Sequence, residues 1–425
     1  MGSGHILIAM FDVLMDIYES AGYDKREAAF EIVENNIHGL DIDQRAYQLA
    51  YFAVMMKGRG YNRRFLRGRD GKPEPKVYAI VESNEINRNH LQFFGTHLSE
   101  MERNLAVMQI EGLLDTFKDA REYGSILNVD ACDWDVLEKF VGDLGTTGQI
   151  SFESVGSEET QESLRKLVRV AKNLGRKYDA VVTNPPYMAS SGMNKKLFSY
   201  VKKYYDDGRN DLYTVFILRC REFCKVNGLL GMIAQLGWMS LTRSSQLRNA
   251  IYSSMYYLNM VHLGSRVFEE LSGEVVKTST FVMRKGIFDE YQAAYCKADI
   301  VEDNDAKEST LLENKSIYKA SLAETYEIEG APLSYWLPRT MLPLFSRSTI
   351  KDRFICRAGM QTGNNDLFLR YWYEVSSINT DHFNNGTKWF SYNKGGSQRK
   401  WYGNLDLVVD WENNGFDIKL SKSVG

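Results

Sequence analysis

Apolar residues recur at helical spacing near the start of the chain (Ile6, Met10, Val13, Leu14, Ile17), which predicts an amphipathic helix from Ile6 to Ser20. A second helix is predicted from about Lys25 to Asn35, a short strand in NIHGLDID (Asn36–Asp43), and a third helix from Gln44 to Lys57. Residues 97–122 carry an amphipathic helical pattern, and 133–175 read as helix with a polar interruption at GTTGQISFESVGSEE. The pattern then shortens. Ala180-Val181-Val182 predicts a buried strand, Asp211–Val226 a helix, GLLGMIAQ a strand and Ser244–Met255 a helix, with further strands at YYLNMVHLG and TSTFVMRKG. Such alternation predicts an α/β fold with a parallel sheet and helices on both faces.

Beyond an acidic stretch, VEDNDAKE, the texture changes. Pro332, Pro338 and Pro343 cluster, and the remainder is rich in aromatics, glycines and short alternating runs. A domain boundary is expected there, giving residues 1–335 and 336–425.

Length and composition suit a globular chain of two or three domains: 425 residues, 44% hydrophobic and 25% charged. The most apolar run, GLLGMIAQLGWM, is shorter than the ~20 residues of a membrane helix, and the N-terminus lacks a basic signal-peptide region. Cys132, Cys220, Cys224, Cys296 and Cys356 show no CxxC spacing, so they read as reduced, mostly buried thiols of a cytoplasmic protein with no metal site. A net charge of −3 excludes a uniformly basic binder but not a local patch. Two patches are visible. Lys57–Lys76 holds eight basic against two acidic residues, a pattern that also fits a solvated loop. KWFSYNKGGSQRKWYG interleaves Lys388, Lys394, Arg399 and Lys400 with Trp389, Phe390, Tyr392, Trp401 and Tyr402, a mixture suited to stacking on bases and pairing with phosphates, or to a two-stranded surface sheet.

Asn184-Pro185-Pro186-Tyr187 follows the Ala180–Val182 strand directly, and ligands of α/β sheets bind at such strand ends. With this motif in this context the chain resembles the N6-adenine DNA methyltransferases that use S-adenosylmethionine. The resemblance implies that the turn receives an adenine flipped out of the duplex. The Asn184 side-chain oxygen and the Pro185 carbonyl can each accept an N–H of the amino group, freeing its lone pair to attack the methyl sulfonium. The prolines keep those acceptors in place, and Tyr187 offers a stacking face that offsets part of the unstacking cost.

The resemblance extends to the first residues. The family's cofactor loop reads Asp/Asn-Pro-x-x-Gly-Ser-Gly after the first strand, and Gly2-Ser3-Gly4-His5 matches its second half, with glycines letting the backbone approach the methionine part of the cofactor. It implies that the first strand and the Asp-Pro half lie outside this sequence. An acidic residue ending the second strand holds the ribose hydroxyls; by position that is Asp41, with Asp43 as the alternative or a helix cap. Asp130, in SILNVDAC, would end a third strand and contact the cofactor's adenine amino group, or cap a helix. In NDLYTVFILRC, Asp211 caps a helix, while Tyr213 and Phe216 line the cofactor's adenine pocket or the base pocket, or pack in the core.

The order of cofactor loop, catalytic turn and C-terminal recognition region is the γ arrangement. AGMQTGNNDLFLRYW and the aromatic–basic stretch are similar to the start of the target-recognition region in the large methylases of BREX phage defence (PglX-like). In that setting double-stranded DNA is the partner, alongside other proteins of the defence system. Gln361, Asn364, Lys388, Lys394, Arg399, Lys400 and Trp401 are then the DNA-contact candidates, with base and phosphate contacts left unassigned. Two other readings stand beside this one: methylation of glutamine or RNA, and a DNA-binding or assembly segment without catalysis.

Overall fold

The computed structural model describes residues 1–69, 71–143, 156–267, 277–301, 303–355, 359–381 and 387–423. Cys356 and most of the polar interruption after residue 143 lie outside the described residues. The chain forms two compact units, Met1–Arg347 and Ser348–Gly425. The sequence predicts a boundary at 335/336. The Pro-rich stretch instead stays with the first unit, because Leu333 and Tyr335 are buried in its core and Arg339 pairs with Glu324 at 2.7 Å.

In chain order the first unit holds α1 (His5–Ser20), α2 (Lys25–Glu31), β1 (His38–Asp41), α3 (Gln44–Tyr61), β2 (Lys76–Ala79), α4 (Glu100–Thr116), α5 (Ala120–Tyr123), α6 (Trp134–Gly142) and α7 (Ser157–Gly175). Then follow β3 (Tyr178–Thr183), α8 (Lys195–Tyr204), α9 (Leu212–Phe223), β4 (Cys224–Gln235), α10 (Gly237–Ser240), α11 (Ser245–Tyr252), β5 (Met255–Gly264), β6 (Thr278–Lys285), β7 (Ala293–Lys297), α12 (Asn304–Leu312), β8 (Ile317–Ala320) and α13 (Leu322–Tyr326). The acidic stretch read as a loop therefore starts α12, where Asp303 caps the helix by accepting from Ala306 N–H.

A six-stranded sheet has the order β3-β4-β6-β5-β7-β8, and among the described residues β1 pairs only with β2. The β1–β2, β3–β4 and β5–β7 pairs are parallel. β6 is antiparallel to both β4 and β5, and β8 to β7, so the sheet is mixed rather than parallel as the alternation predicts. Helices lead into each strand up to β5 and α12 leads into β8, whereas β6, antiparallel to both of its neighbours, needs no helical crossover. The fold remains Rossmann-like α/β in its first strands. β2 falls at the end of the stretch read as a basic loop, and β7 and β8 are too short to stand out by alternation.

Two expectations about strands are corrected. SILNVDAC forms no strand: residues 127–133 are irregular, Asp130 is exposed, and the strand beside β1 is β2. β3 is not a buried strand throughout. Ala180 is exposed and Val182 is 44% exposed, because β3 is an edge strand paired with β4 alone. Its other edge faces a groove whose far wall is His38-Gly39-Leu40 of β1, with Ile6 and Met10 of α1 at one side. Among the described residues no strand joins β1 to β3.

Three apolar clusters hold the first unit. Leu7, Phe11 and Met15 of α1 meet Phe30, Val54, Phe65 and Val77 in one. A second gathers α4, α6 and α7 through Ile110, Leu137, Phe140 and Leu167. The third lies on the six-stranded sheet, around Val215, Leu230, Met232, Trp238, Tyr257 and Phe281. The second unit is a four-stranded sheet, order β10-β11-β12-β9, made of β9 (Leu369–Tyr371), β10 (Thr380–Asp381), β11 (Trp389–Tyr392) and β12 (Leu407–Asp410). It has a small core of Phe368, Leu369, Val409 and Ile418. Among the described residues no helix is long and apolar enough to cross a membrane.

His38 ties β1 to α7: its Nδ1 lies 2.7 Å from Asn173 Oδ1, while Nε2 is buried without a partner. Burial pushes the His38 pKa down to about 4. The imidazole is therefore neutral in the fold, whereas the unfolded chain takes up a proton near pH 6.5. The stability this neutrality contributes is complete above about pH 6.5 and is lost as pH falls toward about 4, by about 3 kcal/mol at ~1.4 kcal/mol per pKa unit. Urea melts at stepped pH should show this decline, and His38→Gln, which can still donate to Asn173, should flatten it. An equal decline in both proteins rules out His38 as its source.

Candidate active site

The carboxyl ends of β1 and β3 open onto one cleft of about 880 Å³. The chain runs outward from β1 to β2 and resumes at β3, so the cleft sits where strand order reverses, the usual ligand position in such sheets. Asp41 and Ile42 line one side, Thr183–Tyr187 another; Glu122–Ser125 and the side chains of Leu197, Leu212 and Phe216 complete the wall.

The Asn184–Tyr187 turn is held from behind. Met188 N–H donates to Asp211 Oδ1 at 3.1 Å, and Leu212 N–H donates back to Met188 carbonyl at 2.8 Å. Ser190 N–H reaches Asn210 carbonyl at 3.0 Å. Asp211 Oδ1 also takes Tyr213 N–H at 3.3 Å, so one carboxylate caps α9 and anchors the turn. Burial raises the Asp211 pKa, with these N–H groups and Arg243 opposing. Within the turn Pro185 is buried and Asn184 exposed, and the Asn184 carboxamide makes no hydrogen bond among the described residues. Tyr187 stands edge-on to Tyr213, with centroids 6.0 Å apart at 84°. Its hydroxyl is buried without a partner, and burial pushes its pKa up to about 12. Tyr213 itself is buried behind Tyr187 and does not line the cleft, whereas Phe216 does.

At the other end, Asp41 Oδ2 accepts Gly2 N–H at 2.8 Å and lies 3.0 Å from the Met1 ammonium, and Oδ1 accepts Asp43 N–H at 3.0 Å. Burial works to raise its pKa, but the Asp43 N–H, the Met1 ammonium and the Gly2 N–H outweigh it, so the carboxyl lies below its ordinary value. Asp43 caps α3 through Arg45 and Ala46 N–H, which separates the two acids the sequence leaves as alternatives. Gly2 lines the cleft; Ser3, Gly4 and His5 do not, nor does Asp130. The glycine requirement at Gly4 comes from packing: φ is +98°, and a Cβ there would meet Ala50 Cα at 2.9 Å. Ser3 Oγ and His5 Nδ1 pair with each other at 2.9 Å. The Glu122–Ser125 wall escaped sequence reading, although Gly124, with φ +60° between a helix and Ser125, marks a sharp turn. Among the described residues no group of three or more His, Cys, Asp or Glu side chains could hold a metal ion.

The family profile described as Eco57I restriction-modification methylase matches residues 35–268, more than half of the chain. The chain belongs to the Eco57I restriction-modification methylase family. This family member is 38% identical over 443 positions to the adenine-specific methyltransferase PglX of Lacticaseibacillus casei (strain Zhang), a match covering 100% of the chain and 36% of that protein. It is 32% identical to the adenine-specific methyltransferase BrxX of Escherichia coli O9:H4 (strain HS), over 99% of the chain and 36% of that protein. The chain thus spans about a third of the length of these relatives. Among solved structures it is similar to a nuclease-deletion mutant of the Type ISP restriction-modification enzyme LlaGI in complex with a DNA substrate mimic, with TM-score 0.43, 12% identity, and coverage of 76% of this chain and 23% of that one.

In the second unit of this Eco57I-family chain the predicted contact residues divide. Lys388 Nζ sits 3.1 Å from both Asp410 and Glu412, so its charge is offset locally. Asn364 is turned to capping α14 (Asn365–Phe368), accepting from Leu367 N–H. Gln361, Lys394, Arg399 and Lys400 are exposed, and Trp401 is 91% exposed.

Asp211→Ala removes the acceptor of the Met188 and Tyr213 backbone N–H groups, whereas Asp211→Asn keeps an accepting oxygen. Hydrogen exchange at Met188 and Tyr213 should accelerate strongly in Asp211→Ala and little in Asp211→Asn. Equal exchange in the two variants removes the anchoring role.

Proposed function

We propose that the chain carries the catalytic part of a DNA methyltransferase that transfers a methyl group from S-adenosylmethionine to N6 of an adenine flipped out of double-stranded DNA, in a restriction-modification or phage-defence setting. One observation carries the reading: an exposed carboxamide free of protein partners, Asn184, on a proline-locked turn in the same cleft as the Asp41 carboxylate. The names of the relatives support it by likeness.

The cleft fits the cofactor in size, since its volume lies in the range of small-molecule sites. It fits in chemistry as well: Asp41 is an acceptor suited to a ribose diol, although the Met1 ammonium and Gly2 N–H now hold its Oδ2. When bound, S-adenosylmethionine supplies a methyl group made electrophilic by a sulfonium. The chain's own part is positioning. Asn184 Oδ1 and the Pro185 carbonyl accept the two amino protons and turn the nitrogen lone pair out of conjugation. Pro185 and Pro186 fix backbone φ, and the Asp211 anchor keeps the turn from relaxing. Tyr187, steadied edge-on by Tyr213, presents a face to the base, and Leu197, Leu212 and Phe216 exclude water around it.

Asn184→Ala should lower methyl incorporation into DNA by two to four orders of magnitude, on the order of 3–5 kcal/mol, while calorimetry shows cofactor binding unchanged. Near-normal turnover defeats the proposal. Tyr187→Ala should impair methylation of a duplex more than of a single strand, because stacking offsets extrusion; equal impairment removes the stacking role. Calorimetry of the unaltered chain with S-adenosylmethionine separates the catalytic reading from the non-catalytic one.

A further inference from the structure

The wall of the cleft continues into α8, whose outer side belongs to no function assigned so far. Its sequence, KKLFSYVKKY, has four lysines and no acid. Leu197 and Val201 are buried, with Leu197 in the cleft wall, and all four lysines lie exposed on the other side. Lys196 is committed to Asp119 at 2.7 Å. Lys195, Lys202 and Lys203 make no ion pair among the described residues, and Lys203 stands 4.8 Å over the ring of its neighbour Tyr204. Of the acids near the helix, Asp206 pairs with Arg209 at 2.6 Å and Glu122 takes Asn194, while Asp207 is exposed beyond the C-terminal end of α8. Helix position is well fixed. Asn194 caps it through Leu197 N–H, and Tyr200 stacks between Tyr123 of the cleft wall (4.5 Å) and Tyr204 at the surface (4.6 Å).

We propose that the solvent face of α8, through Lys195, Lys202 and Lys203, carries the phosphate backbone of the DNA strand whose base enters the cleft. This rests on the methyltransferase reading above. Charge complementarity selects the occupant: three uncompensated cations on a rigid rim suit a polyanion. The scale agrees as well. Ten residues of helix extend roughly 15 Å, about the axial rise of four nucleotides at 3.4 Å each. A base can enter the cleft only if the backbone beside it crosses the rim, and Leu197 places α8 on that rim. These lysines act on the backbone without reading sequence, so they strengthen binding to any duplex alike.

The test uses the full chain, a fluorescent duplex and anisotropy across a salt series. The triple variant Lys195→Ala, Lys202→Ala, Lys203→Ala should bind more weakly, with the slope of log affinity against log salt shallower by roughly 2.7, at ~0.9 per phosphate contact. The matching triple arginine variant should keep the slope, and both should melt as the unaltered protein does. In methyl transfer, KM for DNA should rise with kcat retained at saturating duplex. An alanine triple with an unchanged salt slope overturns the proposal. So does loss of self-association in sedimentation without any change in DNA binding, which assigns the face to a second copy of the chain. Failure of the methyltransferase reading is visible separately: an unaltered chain that binds duplex with this slope but incorporates no methyl leaves the α8 assignment standing and removes the catalytic one.

Discussion

The Asp211 carboxylate takes backbone N–H groups from both Met188 and Tyr213, and through them it binds the end of the Asn-Pro-Pro-Tyr turn to the start of α9. Everything the cleft can do follows from that link. Prolines alone fix φ but leave ψ free, so a proline-locked turn still needs an external point of attachment before Asn184 has a defined direction. The attachment is placed on the helix that packs against β4 in the largest core, with Val215 and Ile217 buried. The Asn184 end of the cleft therefore inherits the rigidity of the six-stranded sheet.

The opposite wall has an equivalent anchor. The Arg219 guanidinium is buried on the next turns of α9, where it donates to the carbonyls of Ser125, Leu127 and Leu174 and to Asn128 Oδ1, with Glu222 at 3.1 Å and the Phe223 ring 4.1 Å beneath. A buried cation is tolerable only when its donors are satisfied, and here carbonyls do most of that work. The bond to Ser125 carbonyl holds the end of the Glu122–Ser125 wall. One helix thus supports both walls: Asp211 at its cap fixes the turn, and Arg219 two turns later fixes the loop.

How much of this was legible in the sequence follows from range. Local periodicity marked α1, α3, α7 and β4, because their buried positions repeat along one face. The turn was legible because Asn-Pro-Pro-Tyr directly follows a strand, and Asp41 and Asp43 were legible as a pair, with the helix cap telling them apart only in three dimensions. Long-range facts were not legible. The mixed sheet depends on which strands become neighbours, and β2 is four residues long and adjoins a basic run. Asp130 was misread because an acid after apolar residues looks like a strand end, yet Ile126 and Leu127 are buried without extending. Gly4 carries a constraint of the same long-range kind: its φ of +98° and its close approach to Ala50 of α3 call for glycine on packing grounds that the local sequence does not show.

The two ends of the cleft are carried by different cores, and this constrains any reaction within it. Asn184 follows β3, and its neighbours Val181 and Tyr187 pack against the cluster on the six-stranded sheet, while Asp41 ends a strand whose neighbours α1, α2 and α3 form a separate cluster. Between them β1 and β3 share no backbone ladder. Their spacing is set instead by side chains: Leu40 and Tyr78 pack against the α4–α6–α7 cluster, and His38 bonds Asn173 on α7. Both contacts converge on α7 and the cluster it shares with α4 and α6, so any chemistry that uses the two ends of the cleft together depends on how that cluster seats β1 as well as on the sheet behind Asn184.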